Sequence, residues 1–305
     1  MTLFRGAYVA LITPFKDNGK IDRQALQKLV AWQVAQGTDG ILCCGATGEG
    51  IVLTESEKRE VATLCVEATE KKIPVVVSVG TASTSQTARS IEQMQKLGAA
   101  GCMVVTPYYN RPSERGCLAH YGEAVKVGTP IVAYYNPART GLRLTPESLA
   151  KIGEIEGVVA LKDSSGDVAF LRKLRKLSKL PVFAGDDDQT LEAIREGSVG
   201  AISVIGNLLP KQWKEMIDLA LEKKWEATKR LHERYLPLCR ALFLETNPQC
   251  VKWAAYWFGL APDLLRLPLV EPEEATKRAI RQVVMQLALP HMRRDSHLRN
   301  ANVPE

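Results

Sequence analysis

Eight short apolar runs recur along the chain, and the stretches between them return a hydrophobic residue every three or four positions. The runs are Ala7–Thr13, Gly40–Cys44, Pro74–Val79, Gly101–Thr106, Pro130–Tyr135, Val158–Lys162, Val182–Gly185 and Gly200–Val204. Most are rich in Val, Ile and Ala and do not alternate with charge, a pattern that predicts strands buried on both faces. Arg23–Gln36, Glu55–Thr69, Ser85–Leu97, Arg115–Val127 and Thr145–Ile152 read as amphipathic helices between them. Thr54 stands three residues before Glu57, the spacing of a capping box, and Pro146 follows Thr145 at a first-turn position. Gly37, Gly98 and Gly197 fall where helices stop ahead of the next strand.

Strand and helix alternating eight times predict an α/β fold, a parallel sheet closed into a (β/α)8 barrel over residues 1–206. The rival is an open doubly wound sheet, but no Gly-x-Gly-x-x-Gly turn follows the first run. After Val204 the pattern changes. Leu208–Leu221, Trp225–Phe243, Asn247–Gly259 and Pro272–Leu289 read as helices, so 207–290 is expected to hold the last barrel helix and a C-terminal helical region. Residues 291–305 lack apolar periodicity and read as a loose basic tail.

Composition narrows the function classes. The chain has 305 residues, 46% of them hydrophobic, enough for a large core, and a formal net charge of +6. The excess sits partly in Arg293, Arg294 and Arg299 and partly in the segment from Arg172 to Lys179. No aromatic residues interleave with these charges, which argues against a nucleic-acid partner. The seven cysteines form no Cys-x-x-Cys pair and the four histidines do not cluster, so neither a metal site nor a disulfide framework is expected, and no cofactor is implied. Met1 to Arg5 leads almost directly into the first run, with no secretory pattern, and no apolar run reaches membrane length. A cytoplasmic protein, not a membrane one, is the expectation.

Candidate chemistry lies at the strand ends, where barrels of this kind carry their sites. Lys162 closes the sixth run. Burial there would favour a neutral amine, and a neutral amine attacks ketones to form an imine. A snorkelling lysine, or one paired with Asp163, is the alternative reading. Around the same mouth come Gly45-Ala-Thr-Gly-Glu-Gly50, Thr106-Pro-Tyr-Tyr-Asn-Arg-Pro112, Tyr134-Tyr-Asn-Pro-Ala-Arg-Thr-Gly141, Gly185-Asp-Asp-Asp188, Ser203 and Asn207. Glycines at 45, 48 and 50 either shape a turn or expose N–H groups to a carboxylate. Lys162 shares strand parity with Val158 and Ala160, whose small size would leave room for a ketone.

These motifs, with Leu161-Lys-Asp163, Glu245-Thr-Asn-Pro248, Val251-Lys-Trp-Ala254 and Leu265-Arg-Leu-Pro268, resemble those of the pyruvate-dependent class I lyases of the dihydrodipicolinate synthase and N-acetylneuraminate lyase family. The resemblance runs from about Gly6 to Leu289. It implies that Lys162 forms an imine with pyruvate and that Tyr134 moves protons to and from the departing oxygen. It implies that Thr47 and N–H groups beside it, such as that of Gly48, hold the pyruvate carboxylate, with Gly185 and Ile202 lining the pocket. Tyr109 would reach in from a neighbouring subunit of a dimer of dimers to complete a proton relay. Arg-Thr-Gly after the fifth strand resembles the synthase branch, in which Arg139 would grip the carboxylate of aspartate semialdehyde. The implied product is 4-hydroxy-tetrahydrodipicolinate, on the way to diaminopimelate and lysine. The alternative partner is a 2-keto-3-deoxy or hydroxy-oxo acid handled by an aldolase or dehydratase of the family, and a catalytically silent scaffold is the non-enzyme reading.

Three departures stand out, one of them Tyr135-Asn136 after the fifth-strand tyrosine, which changes the surroundings of Tyr134. The family's synthases usually carry a relay threonine where this chain has Ala46, so the link from Tyr134 to Tyr109 is expected to be broken or bridged by water. In the cleft where feedback-sensitive members bind lysine, the corresponding residues are Gly50, Ile51, Glu55, Lys58, Ala82, Gln86 and Tyr108. Ala82 and Gln86 replace an asparagine and a glutamate there, and Lys58 adds a like charge, so weak feedback is expected.

Overall fold

The computed structural model describes residues 4–287; the basic stretch 291–305 lies outside the described residues. Eight parallel strands close in chain order: β1 (Gly6–Ala10), β2 (Gly40–Cys43), β3 (Val75–Ser78), β4 (Gly101–Val105), β5 (Ile131–Tyr135), β6 (Val158–Asp163), β7 (Val182–Ala184) and β8 (Gly200–Ser203). β8 returns to β1 with Gly6 opposite Gly200 and Val9 opposite Ser203. The helices are α1 (Arg23–Ala35), α2 (Glu55–Ala68), α3 (Thr84–Lys96), α4 (Glu114–Val125), α5 (Pro137–Thr140), α6 (Pro146–Gly153), α7 (Val168–Leu177), α8 (Thr190–Arg195), α9 (Pro210–Leu221), α10 (Trp225–Ala241), α11 (Gln249–Trp257) and α12 (Glu274–Leu287). Thr54 caps α2 as its spacing predicts, reciprocally with Glu57.

Every strand is apolar on both faces because each face meets a different core. The barrel interior is filled by Tyr8, Ala10, Leu42, Val76, Met103, Val132, Tyr134, Ala160, Phe183 and Ile202. The opposite faces pack against the helices in a second, larger cluster. The parity expected for β6 holds only in part. Ile131 pairs with Val158 but Val132 pairs with Ala160, so a bulge falls at Val159. Val158 therefore packs with the helices, while Ala160 faces the barrel interior with Lys162 in step two residues on.

Two polar residues at the strand ends hold the barrel closed. Asn207 accepts from the Ile12 N–H (3.0 Å) and donates to the Ala10 and Val204 carbonyls. The Asp187 carboxylate accepts from the Val204 and Ile205 N–H groups, and burial pushes its pKa up to about 7.

The C-terminal helices are tied to the barrel mouth by a fully buried ion pair. Lys252 Nζ, on α11, donates to Glu49 Oε1 at 2.6 Å and to the Thr13 and Leu264 carbonyls. The other Glu49 oxygen accepts from the Arg266 N–H at 2.9 Å. Burial pushes the lysine pKa down and Glu49 opposes that shift. All seven cysteines are free and buried. Removing one partner of such a pair strands the other without water. Lys252→Met is expected to cost about 3–5 kcal/mol in denaturant unfolding, and Glu49→Gln with Lys252→Met together less than the sum of the two single changes.

Candidate active site

Lys162 and Tyr134 are direct register partners on β6 and β5, so their side chains enter the barrel mouth side by side. Both are buried, and the Lys162 ammonium stands 4.8 Å from the centre of the Tyr134 ring. Asp163 is not the lysine's ion-pair partner. Its strand parity sends it to the other face, where its carboxylate accepts from Ser165 N and Oγ. Burial raises the Asp163 pKa to about 6. Among the described residues no carboxylate reaches ion-pair distance of Lys162.

The space beside Lys162 depends on Gly185. A Cβ there would collide with Ser164 Oγ, come within 2.8 Å of the Asp163 carbonyl and 3.0 Å of Lys162 Cε. Glycine at the end of β7 thus lets the lysine stem lie across the strand. The small cavity so formed includes Ala46, Thr47, Tyr134, Asn136, Arg139 and Lys162 in its lining. It opens onto a wider cleft of about 880 Å³ that shares Gly45, Ala46, Tyr134, Arg139 and Asn247 with it.

The loop after β2 delivers Thr47. Cys44 and Glu49 hold left-handed backbone (φ 56° and 54°), and the Glu49 carboxylate is anchored by the pair described above. Gly48 packs against the segment after β1, where Thr13 Oγ1 donates to its carbonyl at 2.7 Å. Thr47 Oγ1 accepts from Asn247 Nδ2 at 3.0 Å, and the Asn247 carbonyl accepts from an Arg139 guanidinium N–H at 3.0 Å. The segment before α11 therefore closes one side of the mouth. A buried amine next to a phenol, with a hydroxyl and a guanidinium at the same opening, can form an imine with a keto acid and hold carboxylates.

Ile202, Gly48 and Tyr109 do not line the cavity of their own chain. Ile202 fills the barrel interior with Tyr8 and Phe183, and Val204 lines the cavity in its stead, because β8 ends before its inward residue reaches the mouth. Gly48 sits behind Thr47 and does not line the cavity. Tyr109 is 92% exposed with φ 68°, as suits a side chain expected to serve a neighbouring subunit. Asn247 and Asp186 were quoted only inside motifs, Glu245-Thr-Asn-Pro248 and Gly185-Asp-Asp-Asp188, and Asn136 only as a difference beside Tyr134.

Residues 3–287 match the model of the dihydrodipicolinate synthetase family. The chain belongs to that family. The 4-hydroxy-tetrahydrodipicolinate synthase of Persephonella marina is 39% identical over 282 residues, covering 90% of this chain and 96% of that protein. The crystal structure of dihydrodipicolinate synthase from Aquifex aeolicus superposes with a TM-score of 0.91 at 35% identity, covering 94% of this chain and 99% of the other. A chloride-inhibited dihydrodipicolinate synthase of Acinetobacter baumannii, solved in complex with pyruvate, gives a TM-score of 0.91 at 33% identity, covering 93% and 99%.

Gly185→Ala is expected to slow imine formation by about 100-fold, the scale of a 1 Å misplacement of a reacting group. Time-resolved borohydride trapping checks this, with unchanged circular dichroism showing that the barrel persists.

Proposed function

We propose that this protein joins pyruvate to L-aspartate 4-semialdehyde through an imine on Lys162, forming 4-hydroxy-tetrahydrodipicolinate in the cytoplasm on the way to diaminopimelate and lysine. The observation that carries the reading is the pairing of Lys162 with Tyr134 across β5 and β6, at a mouth shared with Thr47 and Arg139. The name borne by the family's relatives supports the same reaction. In it, Thr47 and nearby N–H groups hold the pyruvate carboxylate and Arg139 the carboxylate of the semialdehyde. The assembly is a dimer of dimers in which a second copy brings Tyr109 to the mouth; the exposure of Tyr109 and Ile51 supports an interface on this face. Ala46 favours a second reading, an aldolase or dehydratase of the same family acting on a 2-keto-3-deoxy acid.

Two measurements separate these readings. Sodium borohydride with pyruvate is expected to fix one pyruvyl adduct per chain, on Lys162, and none in Lys162→Ala; an adduct mapped elsewhere overturns the assignment. Arg139→Ala is expected to leave trapping intact while raising KM for aspartate semialdehyde about 10- to 100-fold, as the loss of a charged hydrogen bond predicts. Unaltered KM in that variant points to the second reading.

Inhibition by L-lysine is expected to be weak. Gly50, Ile51, Glu55, Lys58, Ala82, Gln86 and Tyr108 all line the wide cleft. Glu55 already pairs with Lys58 Nζ at 3.0 Å and accepts from Ser90 Oγ at 2.9 Å. An incoming ammonium would have to displace Lys58 from the one carboxylate of that set. Titrating L-lysine into the coupled assay should give half-inhibition above the millimolar range, and a submillimolar value would show the cleft to be competent.

A further inference from the structure

Position 46 carries no hydroxyl, yet the Tyr134 phenol is not left unheld. Asn136 Nδ2 donates to Tyr134 OH at 2.9 Å. The geometry points to Asn136 as the residue that replaces the missing threonine: its amide positions and polarises the Tyr134 phenol for imine formation at Lys162. This rests on the reading of Lys162 as the imine-forming lysine.

The direction of the bond is settled by the other end of the same amide. Asn136 caps α5, and its Oδ1 accepts from the Arg139 N–H at 3.0 Å. Only the carbonyl end of an amide can accept, so the NH2 end must face the phenol. The Asn136 backbone carbonyl also accepts from Thr140 Oγ1 at 2.9 Å, which fixes the residue from a second side. Ala46, Tyr134, Asn136 and Lys162 line one cavity.

The chemistry differs from that of a threonine in one respect. A hydroxyl donates and accepts, so it can hand a proton on; an amide NH2 only donates. Tyr134 oxygen is therefore an acceptor towards Asn136, which leaves its own proton for a different acceptor. The neutral Lys162 amine adds to the ketone carbon of pyruvate, and the amine proton passes to the former carbonyl oxygen to give a carbinolamine. The C–O bond then breaks as Tyr134 transfers its proton to the leaving hydroxyl. Water departs, a C=N iminium remains on Lys162, and Tyr134 is left as phenolate. The pyruvate methyl returns a proton to that phenolate as the enamine forms, so the protons balance without a relay through position 46. A fixed N–H donor stabilises the phenolate between the two transfers. Asn136 contacts no substrate atom and acts through the Tyr134 oxygen; it is a positioning residue.

The test compares wild type, Asn136→Ala, Asn136→Asp, Ala46→Thr and the double variant Asn136→Ala with Ala46→Thr. Steady-state kinetics with pyruvate and aspartate semialdehyde is combined with time-resolved borohydride trapping followed by intact mass. Asn136→Asp keeps an acceptor for the Arg139 N–H and so keeps the cap, but offers the phenol no N–H. Both single variants are expected to lose about 10- to 100-fold in kcat and in trapping rate, with KM for pyruvate within about threefold, the lower part of the range for proton-transfer groups. Ala46→Thr is expected to recover at least about fivefold in the Asn136→Ala background and to help less in the wild type. Asn136→Asp at the wild-type rate would make the residue a cap only and overturn the assignment, as would Asn136→Ala within twofold. Wild-type protein that traps no pyruvate would overturn the imine reading together with this one, whereas normal wild-type trapping with unaffected variants overturns this assignment alone.

Discussion

The Glu49–Lys252 ion pair is the interaction on which the geometry of the mouth depends. Both side chains are fully buried, and the three ammonium protons of Lys252 each have an oxygen to receive them. A buried pair of this kind survives only because its remaining lone pairs and protons are satisfied. The ring of Phe15 lies between Lys252 and Arg266, 4.3 and 4.4 Å from the two cations. Arg266 goes on to grip Glu57 at the start of α2 and the Gly19 carbonyl. One charged cluster thereby joins the loops after β1 and β2, the first turn of α2 and the helices beyond the barrel. The loop it clamps is the one that carries Thr47.

The same logic explains why the mouth is built from parts distant in sequence. Arg139 reaches the Asn247 carbonyl, and Asn247 reaches Thr47, so strands β2 and β5 communicate through a segment more than a hundred residues downstream. The barrel alone supplies the amine and the phenol; the helices beyond it hold one wall of the cavity in which they work. The unit of chemistry is thus larger than the unit of topology.

The eight strands were legible because burial on both faces leaves uninterrupted apolar runs. Lys162 and Tyr134 were legible because a polar group ending such a run must face a mouth or be paired. Val158 misled because a single bulged residue shifts the side-chain period without changing the apolar run. Ile202 and Gly48 stand off the cavity lining because a motif names a segment, not which of its atoms reach the opening. Asn136 was seen only as a difference beside Tyr134; its bond to the phenol follows from the tight turn into α5, where an N-cap bends the chain back on the strand it has just left. The Asn247 contacts span separations of 108 and 200 residues, and no local pattern encodes those.

The buried cysteines have a use that lies outside catalysis. Hydrogen bonding among the Cys43, Cys44 and Cys65 thiols together with burial raises the pKa of Cys43 and Cys44, and burial pushes up those of Cys102, Cys117, Cys239 and Cys250, Cys102 to about 12. Alkylating reagents need an accessible thiolate, so the folded chain is nearly inert to them. Each thiol becomes reactive only when its own element opens. Because they are spread over β2, β4, α4, α10 and α11, the order in which they are labelled at rising temperature would chart which parts of the barrel and its helical cover come loose first.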